Sequence, residues 1–400
     1  MVQQRMTLPL LLTPFAALLF ILPFPGTVAL RLICLAAAFL LAAIGWRRFT
    51  PPIIPMKPVL IAWAFIAAAS LVYAVDPAYS LGEIKNEIGY SMMAYVAFFA
   101  ISGDERRVKW MLLALASGAL VLCAWALAVV FVRGYWNQGG GHGGTAAFAT
   151  YLATIAPTVA LLGFYFKDPR LRVAALGVLG LLLITGLFSQ QRIIWPVFFL
   201  QLSVGVILYG RRLGLNRARI AVALVLALLL AATALLGSQI SRFDKNPFPS
   251  VAMENDTRFG FWPKVAGRIM EHPVVGAGFG RSTMSKAYPD LIPPENTELW
   301  HPHNLILNYG LAMGLPGIVA LLLIWGALLR EYGRFWRSGE EGLRMLGACG
   351  IVLVIGVLAR NLVNDMFMRD AALLFWAING MLLGLGSRKM LATATNSKSP

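Results

Sequence analysis

Long apolar runs, broken by basic or glycine-rich turns, dominate the chain. About a dozen approach the roughly 20 residues a helix needs to cross a bilayer core. They lie near 7–23, 27–45, 59–75, 87–103, 110–132, 146–166, 173–190, 193–210, 220–237, 304–329, 345–363 and 370–386. The runs are continuous rather than alternating, which favours helices over spanning strands. The pattern predicts an all-α integral membrane protein of about 12 transmembrane helices. One long polar interruption, from about Gln239 to His303, separates the ninth and tenth runs. It divides the chain into a bundle of nine helices over 1–237, a polar loop over 238–303, and three helices with a tail over 304–400.

Composition sharpens the picture: with 58% hydrophobic and 13% charged residues, water cannot solvate this chain as a globule. The net charge of +16 raises the question of a nucleic-acid partner, and its distribution answers it. The first run follows Arg5 without a small-residue cleavage site, so it reads as a retained helix with the N-terminus in the cytoplasm. Segments on that side then hold about 21 of the 34 basic and about 6 of the 18 acidic residues, a net near +15 against about +1 outside. The charge reports orientation, so no nucleic acid is expected and membrane lipids are the surroundings. Twelve crossings return the C-terminus to the cytoplasm and put the long loop outside. Cys34, Cys123 and Cys349 fall within apolar runs, so neither a disulfide framework nor a thiolate metal site is expected. There is no convincing internal repeat and no central linker of the kind a two-half carrier would show.

The candidate chemistry concentrates in the loop. Phe261 to Glu271 has helical character, with Trp262, Val265, Ile269 and Met270 on one side and Lys264, Arg268 and Glu271 elsewhere. Pro263 belongs in a first turn, which predicts a start close to Phe261. Such a helix suits the membrane interface, with its basic side toward headgroups or a substrate phosphate. Gly276-Ala277-Gly278-Phe279-Gly280 is either a turn or a backbone nest for a phosphate, Gly278 and Gly280 being its candidate contacts. His301-Pro302-His303-Asn304 is the strongest single cue, because an imidazole accepts a proton near neutrality. It reads as a base at a helix entrance, as a loop histidine and helix cap, or as a pair of metal ligands that would need carboxylates to complete them.

Two arginines outside the cytoplasm oppose the charge bias. Arg192, in the turn Ser189-Gln190-Gln191-Arg192, is either an interfacial anchor or a ligand for a lipid-linked anion. Arg258 follows Glu254-Asn255-Asp256 and is either a local ion-pair partner or a phosphate ligand. Arg360 and Arg369 lie close in sequence to Asp365 and Asp370, which predicts structural pairing for both.

The order of elements, from Arg258 and Trp262 through Glu271-His272-Pro273, the glycine run and His301-Pro302-His303-Asn304 to Gly310 and Gly314-Leu315-Pro316-Gly317, resembles the O-antigen ligase and polymerase superfamily of membrane glycosyltransferases. The resemblance covers about 60 residues and is nearest to an O-antigen ligase. It implies transfer of a glycan from an undecaprenyl diphosphate carrier to a sugar hydroxyl of lipid A-core. The reaction would occur at the periplasmic face of the bacterial inner membrane, with no metal or nucleotide cofactor. It also implies catalytic roles for Arg192, Arg258 and His303. His301, Asn304, Lys264, Arg268, Trp262, Gly278 and Gly280 would line the substrate. A polymerase, a protein O-glycosyltransferase of the same superfamily, and a carrier of lipid-linked sugars are the alternatives.

Overall fold

The computed structural model describes residues 8–49, 52–210, 216, 219, 222, 257–294, 296–297, 299–367 and 369–396. The ninth apolar run, save for Val222, and the Glu254-Asn255-Asp256 triplet lie outside the described residues. What is described is all-helical, with no strand among the described residues. The helices are α1 (Leu8–Ile21), α2 (Val28–Ile44), the single turn α3 (Trp46–Phe49), α4 (Lys57–Ala69), α5 (Pro77–Glu83), α6 (Tyr90–Ile101), α7 (Glu105–Arg133), α8 (Thr145–Tyr165), α9 (Pro169–Ser189) and α10 (Ile194–Tyr209). They continue as α11 (Thr257–Glu271), α12 (Thr283–Ala287), α13 (Leu305–Trp336), α14 (Glu341–Asn361) and α15 (Arg369–Asn396). A π-helical segment, Ile84–Gly89, joins α5 to α6.

Six of these helices, α7, α8, α9, α13, α14 and α15, are long and apolar enough to cross a membrane. The shorter α1, α2, α4 and α10 are apolar as well. The core runs along α15, which packs on α6. Trp376 of α15 stacks on Trp63 of α4 and meets Tyr95 of α6 edge-on. Deep in this packing Tyr332 donates to Asn379 Oδ1 at 2.7 Å, which satisfies a hydroxyl that hydrocarbon could not.

Polar contacts between sequence-distant segments gather at the two ends of the bundle. At one end Lys389 bridges Glu105 and Glu340 at 2.6 and 2.8 Å, Tyr165 donates to Glu105, and Arg388 donates to the carbonyls of Phe99 and Ala100. At the other end segments at 22–31, 73–87, 134–146, 190–193, 257–294, 299–304, 362–367 and 369–370 meet. There Arg31 pairs with Asp370, Arg369 with Glu83, and Lys286 with Asp76. The predicted pairing of neighbours is thus corrected. Arg369 reaches Glu83 rather than Asp370, and Arg360 donates to backbone carbonyls rather than to Asp365. The direction in which each helix leaves its turn decides which acceptor is within reach.

A break in α13 explains the glycine-rich run. At Gly314 the backbone leaves helical geometry, with φ 67° and ψ −163°, and Pro316 two residues later has no N–H to give. Leu315 N–H turns away to Pro273 O at 2.7 Å, so the carbonyls of Leu311 and Ala312 lose their helical donors. The run supplies replacements: Ala277 N–H donates to Leu311 O at 2.8 Å and Gly278 N–H to Ala312 O at 3.0 Å. Phe279 N–H donates to Ser70 Oγ and Ala277 O accepts from Val75 N–H, so the run is clamped between α13 and the α4–α5 connection. A Cβ on Gly276 would stand 2.3 Å from the Ala312 carbonyl carbon, and one on Gly314 would stand 2.6 Å from Pro273 O.

The loop helix differs from its expectation in two ways. α11 begins at Thr257, four residues before Phe261, and contains Pro263 in its interior. Its buried stripe is Phe261, Val265 and Ile269, at i, i+4 spacing, which packs on Met284, Leu291, Leu299 and Leu311. That burial outweighs the one hydrogen bond a proline removes. Met270 faces out, 64% exposed, so the apolar stripe covers a protein core and leaves Met270 off it.

Replacing Gly276 or Gly314 with alanine forces a backbone shift and, at Gly314, a disfavoured φ. Each change should cost about 1–3 kcal/mol, read as a lowered melting temperature in detergent micelles. Gly260→Ala, where a Cβ meets nothing within 4 Å, should leave melting unchanged or raise it slightly.

Candidate functional site

Three consecutive residues between α14 and α15 each hold one of the singled-out side chains. Leu362 O accepts from Asn304 Nδ2 at 2.8 Å, Val363 O accepts from Arg258 Nη1 at 2.8 Å, and Asn364 Oδ1 lies 3.2 Å from His303 Nδ1. The first of these also starts a helix. Asn304 Oδ1 accepts from the N–H groups of Ile306 and Leu307, capping α13, so both ends of its amide are engaged. Trp262 of α11 donates from Nε1 to Pro302 O at 2.9 Å, which pins the histidine segment from the opposite side. With Nδ1 donating to Asn364, the lone pair of the neutral His303 ring resides on Nε2. His303 holds a left-handed backbone, φ 52°, a conformation a non-glycine residue keeps only when its surroundings impose it.

His301 is the deeper of the two rings, 1% exposed, and its centroid lies 3.8 Å from that of His303. The His303 backbone N–H points at His301 Nδ1 from 3.1 Å, and Arg281 Nη2 lies 2.5 Å from Nε2. Burial first, then the charges of Arg281, His303 and Arg258, push the His301 imidazole down to about 2. Arg281 also lies over the Trp300 ring, 5.3 Å from its centroid, and its Nε is 4.0 Å from Asp365 Oδ2. Burial raises the Asp365 carboxyl to about 6, an effect that Arg281 opposes.

Arg192 reaches this region through a chain of contacts. The preceding residue, Gln191, donates to Thr145 Oγ1 at 2.9 Å at the start of α8. One residue on, Ala146 O accepts from Arg360 Nη2 at 2.9 Å, and Arg360 Nη1 donates to Asn364 O at 3.2 Å. Asn364 is the residue that holds His303. The turn bearing Arg192 is thus tied to the histidine turn through α8 and α14. Arg192 is half-buried, and its Nε is buried without a hydrogen-bond partner.

Other sequence-chosen residues fall elsewhere. Arg268 lies in a separate surface cluster with Asp290, Glu271 and the Tyr288 ring, and Lys264 is exposed on α11. Gly278 and Gly280 have positive φ, as a nest would. The N–H groups of residues 277 to 279 are spent on the chain itself, however, which answers the choice in favour of a packed turn. Among the described residues no three His, Cys, Asp or Glu side chains are placed to share an ion. Two residues of the site went unnoticed in the sequence. Nothing local marks Asn364. Arg281 had one usable signal, its position directly after a glycine run that has to pack tightly.

The arrangement offers a neutral histidine with its lone pair on Nε2, a guanidinium anchored to the same turn, and a second guanidinium on a linked turn. That combination can remove a proton from a hydroxyl and hold an anionic leaving group. Two comparisons bear on it. A stretch of 111 residues is 29% identical to a Rickettsia conorii protein named as a candidate polysaccharide ligase. The match covers 26% of this chain and 26% of that relative. The family model described as O-antigen ligase matches residues 177–322, a span that includes Arg192, Arg258, Arg281 and the histidine pair.

Proposed function

We propose that the protein is an O-antigen ligase that transfers a polysaccharide from undecaprenyl diphosphate to a sugar hydroxyl of lipid A-core. The observation that carries the reading is that His303 and Arg258, both inside the segment that matches the O-antigen ligase family model, are anchored on adjacent residues, Asn364 and Val363, of the turn after α14. In this mechanism His303 Nε2 takes the proton of the acceptor hydroxyl. The hydroxyl oxygen bonds to the anomeric carbon as the bond from that carbon to the diphosphate oxygen breaks, and the configuration inverts. The departing diphosphate carries the electron pair and needs charge stabilisation more than a proton. Arg258 and Arg192 supply it, since planar guanidinium forks bind phosphate oxygens in pairs. No metal or other cofactor enters these steps.

The basic residues concentrated in the opposite set of turns support placing the site at the periplasmic face of the inner membrane, with both termini in the cytoplasm. On this reading 1–237 and 304–400 form the membrane frame and 238–303 the catalytic loop. Trp262 and Asn304 position the histidine segment, and His301 supports it from below. Lys264, exposed on α11, is proposed to meet the glycan or the lipid surface.

Purified protein given undecaprenyl diphosphate glycan and lipid A-core should yield a joined product. His303→Ala should lower the rate about 10²–10⁴-fold while donor binding survives. Undiminished transfer by that variant removes His303 as the base, and donor translocation without transfer would identify a carrier. Arg192→Lys should also fall by at least about tenfold, because a point charge does not reproduce the fork, whereas an interfacial anchor would tolerate the change. Chelator should leave the rate unchanged. Loss that a divalent ion restores would overturn the metal-free mechanism.

A further inference from the structure

Both nitrogens of the buried His301 ring face donors. Arg281 Nη2 lies against Nε2 at 2.5 Å, and the His303 backbone N–H points at Nδ1 from 3.1 Å. A neutral imidazole answers one of these donors with its lone pair. An imidazolium would carry N–H on both nitrogens and answer neither, and the guanidinium does not give up its proton to relieve the conflict. With the ring 1% exposed, water is not there to solvate a charge either. The second histidine differs in every respect. His303 is only partly buried, and its Nδ1 is next to an amide oxygen that can accept.

We infer that Arg281 is a positioning residue: it excludes a proton from His301 and so makes His303 the member of the stacked pair that takes one. The inference rests on the transferase reading above and assigns the two histidines different duties. When His303 receives the acceptor's proton, the ring stacked 3.8 Å away is neutral, so no second imidazolium adds to the guanidinium charges already near the pair.

The groups around the pair fit this role. His301 faces Arg281, His303 and, from α11, Arg258. Behind Arg281 stand Asp365 from the turn before α15 and Glu87 from the π-helical segment, with Glu83 beside Glu87. Burial, with Glu83 and Asp365 nearby, pushes the Glu87 carboxyl well above its ordinary value, and Asp365 is raised as well, so the acidic groups near Arg281 are themselves biased toward their neutral forms. Arg360 lies next to Asp365 and Arg258 and is held by Asn364 and Ala146.

The test uses the full chain in micelles with ¹⁵N-labelled histidine, following each imidazole between about pH 5 and pH 8. The chain has four histidines, and a His301→Asn variant identifies the His301 signal by its loss. In the unaltered protein the His301 ring should stay neutral throughout. In Arg281→Met it should gain a titration step, and in Arg281→Lys, which keeps a cation, it should stay neutral or titrate only at the acid end. In the transfer assay the acid limb should follow one proton in the unaltered protein. In Arg281→Met it should steepen and begin about one pH unit higher, whereas a merely structural loss would lower the rate equally at every pH. If Arg281→Met does not fold, as judged by its melting curve, the unaltered protein still decides. A His301 ring that titrates there in the ordinary histidine range overturns the inference, as does an Arg281→Met protein with unchanged titrations and an unchanged acid limb. Absence of transfer in every protein would instead refute the ligase reading, leaving the titrations to judge Arg281.

Discussion

A guanidinium with no exposure organises this end of the molecule. Arg360, in the last turn of α14, is wholly buried and donates to Asn364 O and Ala146 O. Taking that charge out of water costs several kcal/mol unless its donors find acceptors in good geometry. Its Nη1 and Nη2 groups find backbone carbonyls of two different segments, and these two bonds close the turn after α14 and dock it on the start of α8. Once that turn is shaped, its next residues become the scaffold on which Asn304, Arg258 and His303 are hung. Loss of Arg360 would therefore be felt at His303 without any contact between the two side chains.

The second constraint is the interruption of α13. A helix that breaks inside apolar surroundings exposes carbonyls that must be satisfied from within the protein. The N–H groups of Ala277 and Gly278 do this, and only residues without a Cβ at positions 276 and 314 allow the approach. The same crossing sets the path of the chain into Arg281, and through Arg281 the state of His301. Backbone satisfaction and site geometry are thus coupled: the N–H groups of residues 277–279 are spent within the chain, and the same run delivers the Arg281 guanidinium to the His301 ring.

Much of this was legible in the chain. Continuous apolar runs predicted helices, and each run except the ninth, which lies outside the described residues save for Val222, overlaps a helix. The histidine motif, Arg258 and Trp262 were chosen on chemistry, and the structure brings them to one turn. Asn304 was open between cap and ligand, and its hydrogen bonds make it a cap. Other expectations turned on partners that sequence distance cannot rank. Arg369 lies beside Asp370 in the chain but bonds to Glu83, 286 residues away. Pro263 was read as a helix start because a proline weakens a helix interior. The local cost was real, and the buried stripe of Phe261, Val265 and Ile269 overrode it.

By itself the sequence determined the class of molecule, its helical elements, its charge asymmetry and the residue types available for proton transfer and phosphate binding. These follow from composition and short-range periodicity, because the bilayer demands apolar length and the chemistry demands particular side chains. Tertiary structure decided which of the two histidines is buried against Arg281 and which lies beside the Asn364 amide. It also brought Arg281 and Asn364 to the histidine pair and placed Arg268 in a separate cluster with Asp290. Those outcomes depend on burial and on donors and acceptors a few ångströms apart that arrive from α8, α11, α13 and the turn after α14. No local pattern records which distant segments will meet.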